Sequence, residues 1–192
     1  MQVLWKCPYA DGRYVTERAW EDAILGACPF HPEGGCGLER LGSYARVAPA
    51  GARVPRWWCP RQRASISLLP SFLAARMTGT LAEVEAVVAA VEEAGSVSAA
   101  VDAVHPPEAD DAIGLPCALR SIRRRVRAVR AALVAIGTLL AGRFAGVAPT
   151  VTAFGAALGL GFGSVLVTLR GLAERHIGAL PTPLGLRARG RG

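Results

Sequence analysis

The residues best suited to chemistry are a soft-metal set. Cys28-Pro29-Phe30-His31 is followed shortly by Cys36-Gly37, and Cys59 comes after two candidate strands. Zinc takes four nitrogen or sulfur donors at tetrahedral corners, and a ribbon presents them as two pairs from adjacent turns. Here the first turn offers Cys28, His31 and Cys36, whereas the second offers Cys59 alone. Position 63, where a partner for Cys59 could sit, is Arg63, whose guanidinium cannot bind a cation. The spacing therefore predicts a Cys3His zinc site with an incomplete second pair. The other reading of the same residues is a metal-free fold in which the cysteines are small buried groups beneath Trp57 and Trp58. Cys7 and Cys117 fall outside the cluster and are predicted to be core thiols.

The second constellation is cationic. Arg120, Arg123, Arg124, Arg127 and Arg130 recur three and four apart, while Leu119, Ile122, Val126, Val129, Leu133 and Ile136 do the same out of phase. At ~100° per residue this is one helix with an apolar stripe and an arginine face, only Arg125 straying toward the stripe. No Asp or Glu lies between Ala112 and Ala173, so local sequence supplies nothing to neutralise the guanidiniums. Guanidinium pairs bidentately with phosphate or with a guanine edge, which makes these five the candidate DNA-binding residues. The alternative is a solvated face paired with Glu83, Glu85, Glu92 and Glu93 of an earlier helix. The net charge of +7 points the same way, toward a polyanionic partner, nucleic acid before membrane.

The elements that must hold these groups are mostly helical by composition, which is rich in Ala, Val, Leu and Gly and poor in aromatics. Residues 1–27 read as a helical extension, with Thr16 as cap, Trp20, Ala23 and Ile24 on one face, and Gly26 as stop. Residues 28–70 read as a zinc-ribbon-like lobe with strands near 42–47 and 54–59 joined by Ala48-Pro49-Ala50-Gly51. Residues 80–180 read as a helical lobe. Thr80-Leu81-Ala82-Glu83 is a capping-box pattern opening a helix that Gly95 ends. Ser96 caps a second helix, broken at His105-Pro106-Pro107, and after the acidic linker Glu108–Asp111 the arginine helix begins near Cys117. Residues 181–192, ending Arg187-Ala188-Arg189-Gly190-Arg191-Gly192, read as a disordered basic tail. The predicted fold class is thus mainly α with a small β zinc-ribbon-like subdomain: a three-helix, helix-turn-helix-like lobe plus apolar C-terminal helices.

Catalytic patterns are not found. The sole adjacent acidic pair considered, Asp110-Asp111, sits in the linker, and Gly159, Gly161 and Gly163 lack the following Lys of a phosphate loop. His31, His105 and His176 form no pattern with a serine, so no enzymatic activity is expected. The start of the chain lacks a signal-peptide core and the cysteine count is odd, which predicts a cytoplasmic protein with reduced thiols. The main rival role belongs to Phe144–Leu169, an uncharged stretch longer than the roughly 20 apolar residues that span a bilayer. It could serve a membrane-associated or protein-interaction protein, although Pro149 and the Gly-rich run at 155–163 favour two shorter helices.

Three stretches resemble a group of bacterial proteins associated with insertion sequences and transposases: Cys28-Pro29-Phe30-His31-Pro32-Glu33-Gly34-Gly35-Cys36-Gly37, Pro55-Arg56-Trp57-Trp58-Cys59-Pro60, and Ser67-Leu68-Leu69-Pro70-Ser71-Phe72-Leu73. Such proteins carry a zinc-ribbon-like segment followed by a helix-turn-helix. The resemblance covers about residues 25–135 and implies DNA recognition as a transposase-associated or transposase-derived module. Its implied partners are DNA and a transposase or a second copy of the chain.

Overall fold

The computed structural model describes residues 1–9, 11–104 and 115–186. His105, the acidic linker with Asp110-Asp111, and the basic end Arg187–Gly192 lie outside the described residues. What is described divides into two compact units, one ending at Thr80 and one beginning at Leu81.

The first unit is built on a four-stranded mixed sheet of order β1-β4-β3-β2, from β1 (Gln2–Trp5), β2 (Glu39–Ala45), β3 (Arg53–Cys59) and β4 (Ala64–Pro70). β1 runs parallel to β4, and the other pairs are antiparallel. Strand alternation explains its two faces. On one face Trp57, Ile66, Leu68 and Cys59 are buried together with Cys28, Cys36 and Ala23, and Val3 and Trp5 of β1 pack against them. Arg56, Trp58, Ser65 and Ser67, on the other face, are only half-buried. Between β1 and β2 the chain makes one short helix, α1 (Asp11–Thr16), and then turns. Tyr14 of α1 is fully buried, edge-on to Phe72 and near Trp5 and Trp20, and its hydroxyl donates to the Arg53 carbonyl.

This sheet corrects the expectation of a mainly α fold with a small β subdomain: the molecule is mixed α/β. Two strands escape a periodicity reading for physical reasons. β1 is four residues with the continuous apolar run Val3-Leu4-Trp5, and it exists because β4 offers an edge to pair with. β4 does alternate, Ser65-Ile66-Ser67-Leu68, but over too few residues to outweigh the helical composition. The helix expected to start at Thr16 instead ends there. Arg18 takes φ +50°, and although Trp20 and Ala23 are buried as expected, Ile24 is 79% exposed.

The second unit is helical: α2 (Leu81–Ala94), α3 (Val97–Val104), α4 (Leu115–Leu139), α5 (Ala141–Phe144), α6 (Val151–Leu158) and α7 (Val165–Leu172), then a 3-10 turn (Glu174–His176). Gly95, at φ +71°, separates α2 from α3, and the Ser96 hydroxyl accepts from the Ala99 amide at 3.1 Å, the cap its sequence position predicts. α2, α3 and α4 pack on one another, and α2 also meets α6 and α7. Leu81, Val84, Val88 and Val91 of α2, Val129, Leu133 and Ile136 of α4, and Phe144, Phe154, Leu166 and Leu169 form the buried interior.

The apolar stretch 144–169 therefore starts on the last residue of α5 and forms two short helices, α6 and most of α7, folded into this interior, with the Phe144 and Phe154 rings 4.9 Å apart. Among the described residues no helix is long and apolar enough to cross a membrane. Pro181–Leu186 is also folded in. The buried Arg170 guanidinium donates to the carbonyls of Leu184, at 2.9 Å, and Pro183, and Leu184 is fully buried. Gly185 is required in that turn, since a Cβ there would lie 1.7 Å from the Leu180 carbonyl oxygen.

Candidate metal centre and nucleic-acid interface

The stretch from Cys28 to Cys36 is a pair of tight turns. The His31 amide donates to the Cys28 carbonyl at 3.1 Å and the Gly34 amide to the His31 carbonyl at 3.0 Å. Gly34 and Gly35 then reverse the chain at φ +85° and +70°, a region that glycine enters without strain, and Cys36 returns beside Cys28. Cys59 arrives from the end of β3, pointing into the same buried cluster. The Gln62 amide donates to its Sγ at 3.4 Å, inside a turn that Arg63 closes at φ +50°.

The four donor atoms of Cys28, His31, Cys36 and Cys59 all lie within 4.8 Å of one another, a set that could hold a metal ion. His31 Nδ1 lies 3.7 Å from Cys28 Sγ and 3.4 Å from Cys59 Sγ. All three cysteines are buried and none is in a disulfide. The second turn does not need to complete a pair, because three donors come from a single loop and Cys59 closes the set. Arg63 stands in the turn beyond Cys59 and vacates no ligand position. Burial pushes the Cys28 thiol up, but hydrogen bonds from the His31 ring, the Phe30 amide and Cys59 outweigh it and bring Cys28 down to about 6. Burial, then the neighbouring Cys28 and Cys59 sulfurs, push Cys36 up.

The remaining cysteines stand apart. Cys7 is half-buried, and burial raises its thiol. Cys117, expected in the core, is exposed on the first turn of α4, where it accepts from Arg120 Nη2 at 3.3 Å.

The arginine helix is continuous. Arg120, Arg123, Arg124, Arg127 and Arg130 are all exposed on one side of α4, Arg125 is half-buried, and Val129, Leu133 and Ile136 on the opposite side are buried. Among the described residues, Arg123, Arg124, Arg127 and Arg130 have no carboxylate within ion-pairing distance. The acidic residues of α2 show why. Glu85, fully buried, accepts from the amides of Gly163 at 2.6 Å and Leu166 at 2.9 Å, at the N-terminus of α7. Glu92 accepts from the amides of Val151 and Thr152, at 2.9 and 3.1 Å, and from the Thr152 hydroxyl, at the N-terminus of α6. The two are seven residues apart and so share one line along α2. A helix N-terminus leaves amides unpaired and carries partial positive charge, so a carboxylate from a neighbouring element satisfies both. The alternative reading of the sequence makes these glutamates surface partners for arginine. Their capping role is invisible there because it depends on helices 59 to 81 residues away.

A scan against protein-family models, a search of curated proteins and a search of solved structures each return no match.

Proposed function

We propose that this protein binds DNA through the arginine face of α4, with a zinc ion organising the Cys28–Cys36 loop against the sheet of the first unit. The observation that carries the reading is the row of exposed guanidiniums on a helix whose far side is anchored in a hydrophobic interior, with Glu85 and Glu92 of α2 committed to helix caps. A guanidinium held on a rigid rod without a carboxylate partner favours phosphate, and bidentate geometry suits it to that task better than lysine. Arginine is the sole cation type on this helix.

Zinc is supported by the donor separations. Zn–S bonds of about 2.3 Å and Zn–N bonds of about 2.0–2.1 Å at tetrahedral angles place sulfur and nitrogen roughly 3.6 Å apart. The two separations from His31 Nδ1, 3.7 and 3.4 Å, bracket that value. With four protein ligands the site is closed, so the ion would contribute folding energy and leave no open position for a substrate. The narrower assignment, a module associated with or derived from a transposase, rests on the resemblance at 28–37, 55–60 and 67–73 alone.

Metal analysis of the purified protein, with a gel shift on the same sample, tests the reading. One zinc per chain and retarded duplex DNA are expected. A chain that shifts no DNA at low salt contradicts the binding role, and a folded, metal-free chain contradicts the zinc.

A further inference from the structure

A second anion-sized feature lies in the sheet unit. A groove of about 530 Å³ is lined by Arg18, Trp20, Glu21, Arg40, Ser43 and Arg53. Its construction depends on a bulge in β2. Gly42 pairs with Arg56 of β3, but Arg40 pairs with Trp57, so one extra residue, Leu41, is accommodated between them. Because side chains alternate, that extra residue moves Arg40 to the face it would otherwise avoid, the face of Ser43, Arg53 and Trp57. Gly42 takes φ +96° at the bulge, and Arg40 stacks 5.6 Å from the Trp57 ring centre.

The two inward guanidiniums are fixed by neutral groups. Arg40 donates to the carbonyls of Glu21 at 2.5 Å and Trp20 at 2.6 Å. Arg53 donates to the Ser43 hydroxyl at 2.9 Å and the Ser43 carbonyl at 3.0 Å. Neutral acceptors hold a guanidinium in place without cancelling its charge, and each still has N–H groups to spare from its five. The one carboxylate in the groove, Glu21, is 2.5 Å from Arg18 and balances that residue. Among the described residues neither Arg40 nor Arg53 has a carboxylate partner. The result is a pre-positioned pair of cations facing open space.

We infer that the Arg40–Arg53 groove is a phosphate subsite through which the sheet unit contributes its own backbone contact to duplex DNA. The inference rests on the nucleic-acid reading above and adds to it a second, separately testable contact. Two probes separate the two ideas. In the first, inorganic pyrophosphate is titrated into the full chain while the fluorescence of Trp20, which lines the groove, is followed against a Trp20→Phe control. A saturable change is expected in the wild type, weakened about tenfold or more by Arg53→Gln and partly restored by Arg53→Lys. In the second, duplex affinity is measured against salt. Arg53→Gln should weaken binding roughly three- to tenfold and reduce the magnitude of the salt slope by about 1. Unchanged thermal unfolding of Arg53→Gln verifies that the fold is intact, and Arg18→Ala on the rim gives a second, less intrusive variant with a smaller loss. No saturation by pyrophosphate, or duplex binding indifferent to both variants while an α4 variant abolishes it, overturns the groove and leaves the α4 reading standing. Pyrophosphate binding without any duplex binding by the wild type overturns both, and marks the groove as a site for free phosphates.

Discussion

The two units solve one problem, holding poorly regular chain in place, by different chemistry. In the sheet unit the stretch between α1 and β2 has no strand or helix of its own, and four donor side chains from a loop and a strand end converge on one point. In the helical unit the difficult stretch is the broken apolar run after α4. There two carboxylates on one line of α2 reach across to the amide ends of α6 and α7. The first set could hold a metal ion, which in the proposed reading neutralises the clustered sulfur. The second uses charge that the backbone itself supplies. The contrast teaches that two of the four glutamates of α2, Glu85 and Glu92, are used by the fold as helix caps and are not spent on pairing with arginine.

The comparison can be broken most forcefully at the metal. Chelation, or Cys59→Ser, should remove much of the roughly 10 kcal/mol that a structural zinc contributes. The expected readout is proteolytic cleavage within residues 24–38 while the helical circular dichroism of the second unit persists. Loss of both signals together would show that the two units are not separately stabilised. Next in size, Glu85→Gln removes the charge from two hydrogen bonds, one of them to the buried Leu166 amide, and should cost about 2–4 kcal/mol in urea unfolding. Glu92 is half-buried, so Glu92→Gln should cost nearer 1 kcal/mol, and a reversed order would sink the account of the caps. Smallest for stability is Arg124→Ala, within about 0.5 kcal/mol of wild type, because its side chain is exposed and anchors nothing. The same substitution should nevertheless weaken DNA binding, which separates stability from function at one residue.

What was legible in the sequence followed from local rules. The helices over 81–94, 97–104 and 115–139 come from apolar residues spaced three and four apart, with Ser96 and Gly95 as punctuation, and these signals need no tertiary partner. The metal set was legible because residue type alone restricts which side chains bind soft ions. What escaped was set by partners far along the chain. β1 needs the edge of β4, Glu85 and Glu92 need α7 and α6, and Arg40 reaches its face through a single extra residue at position 41. The three-plus-one arrangement expected from the spacing is the one found, with glycines 34 and 35 letting one loop deliver three donors and Cys59 the fourth. The expected helix after Thr16 is interrupted at Arg18, whose φ of +50° is not helical, and Ile24 does not share the burial of Trp20 and Ala23.

The central claim, that the α4 arginines hold DNA by its phosphates, is tested most directly by the salt dependence of duplex affinity in the wild type and in Arg123→Ala/Arg124→Ala/Arg127→Ala. The five α4 contacts would contribute about −4.5 to the slope of log affinity against log salt, and losing three of them should reduce its magnitude by about 2.7 with folding unaltered. A wild-type slope near zero, or a triple variant that binds as the wild type does at every salt concentration, contradicts it.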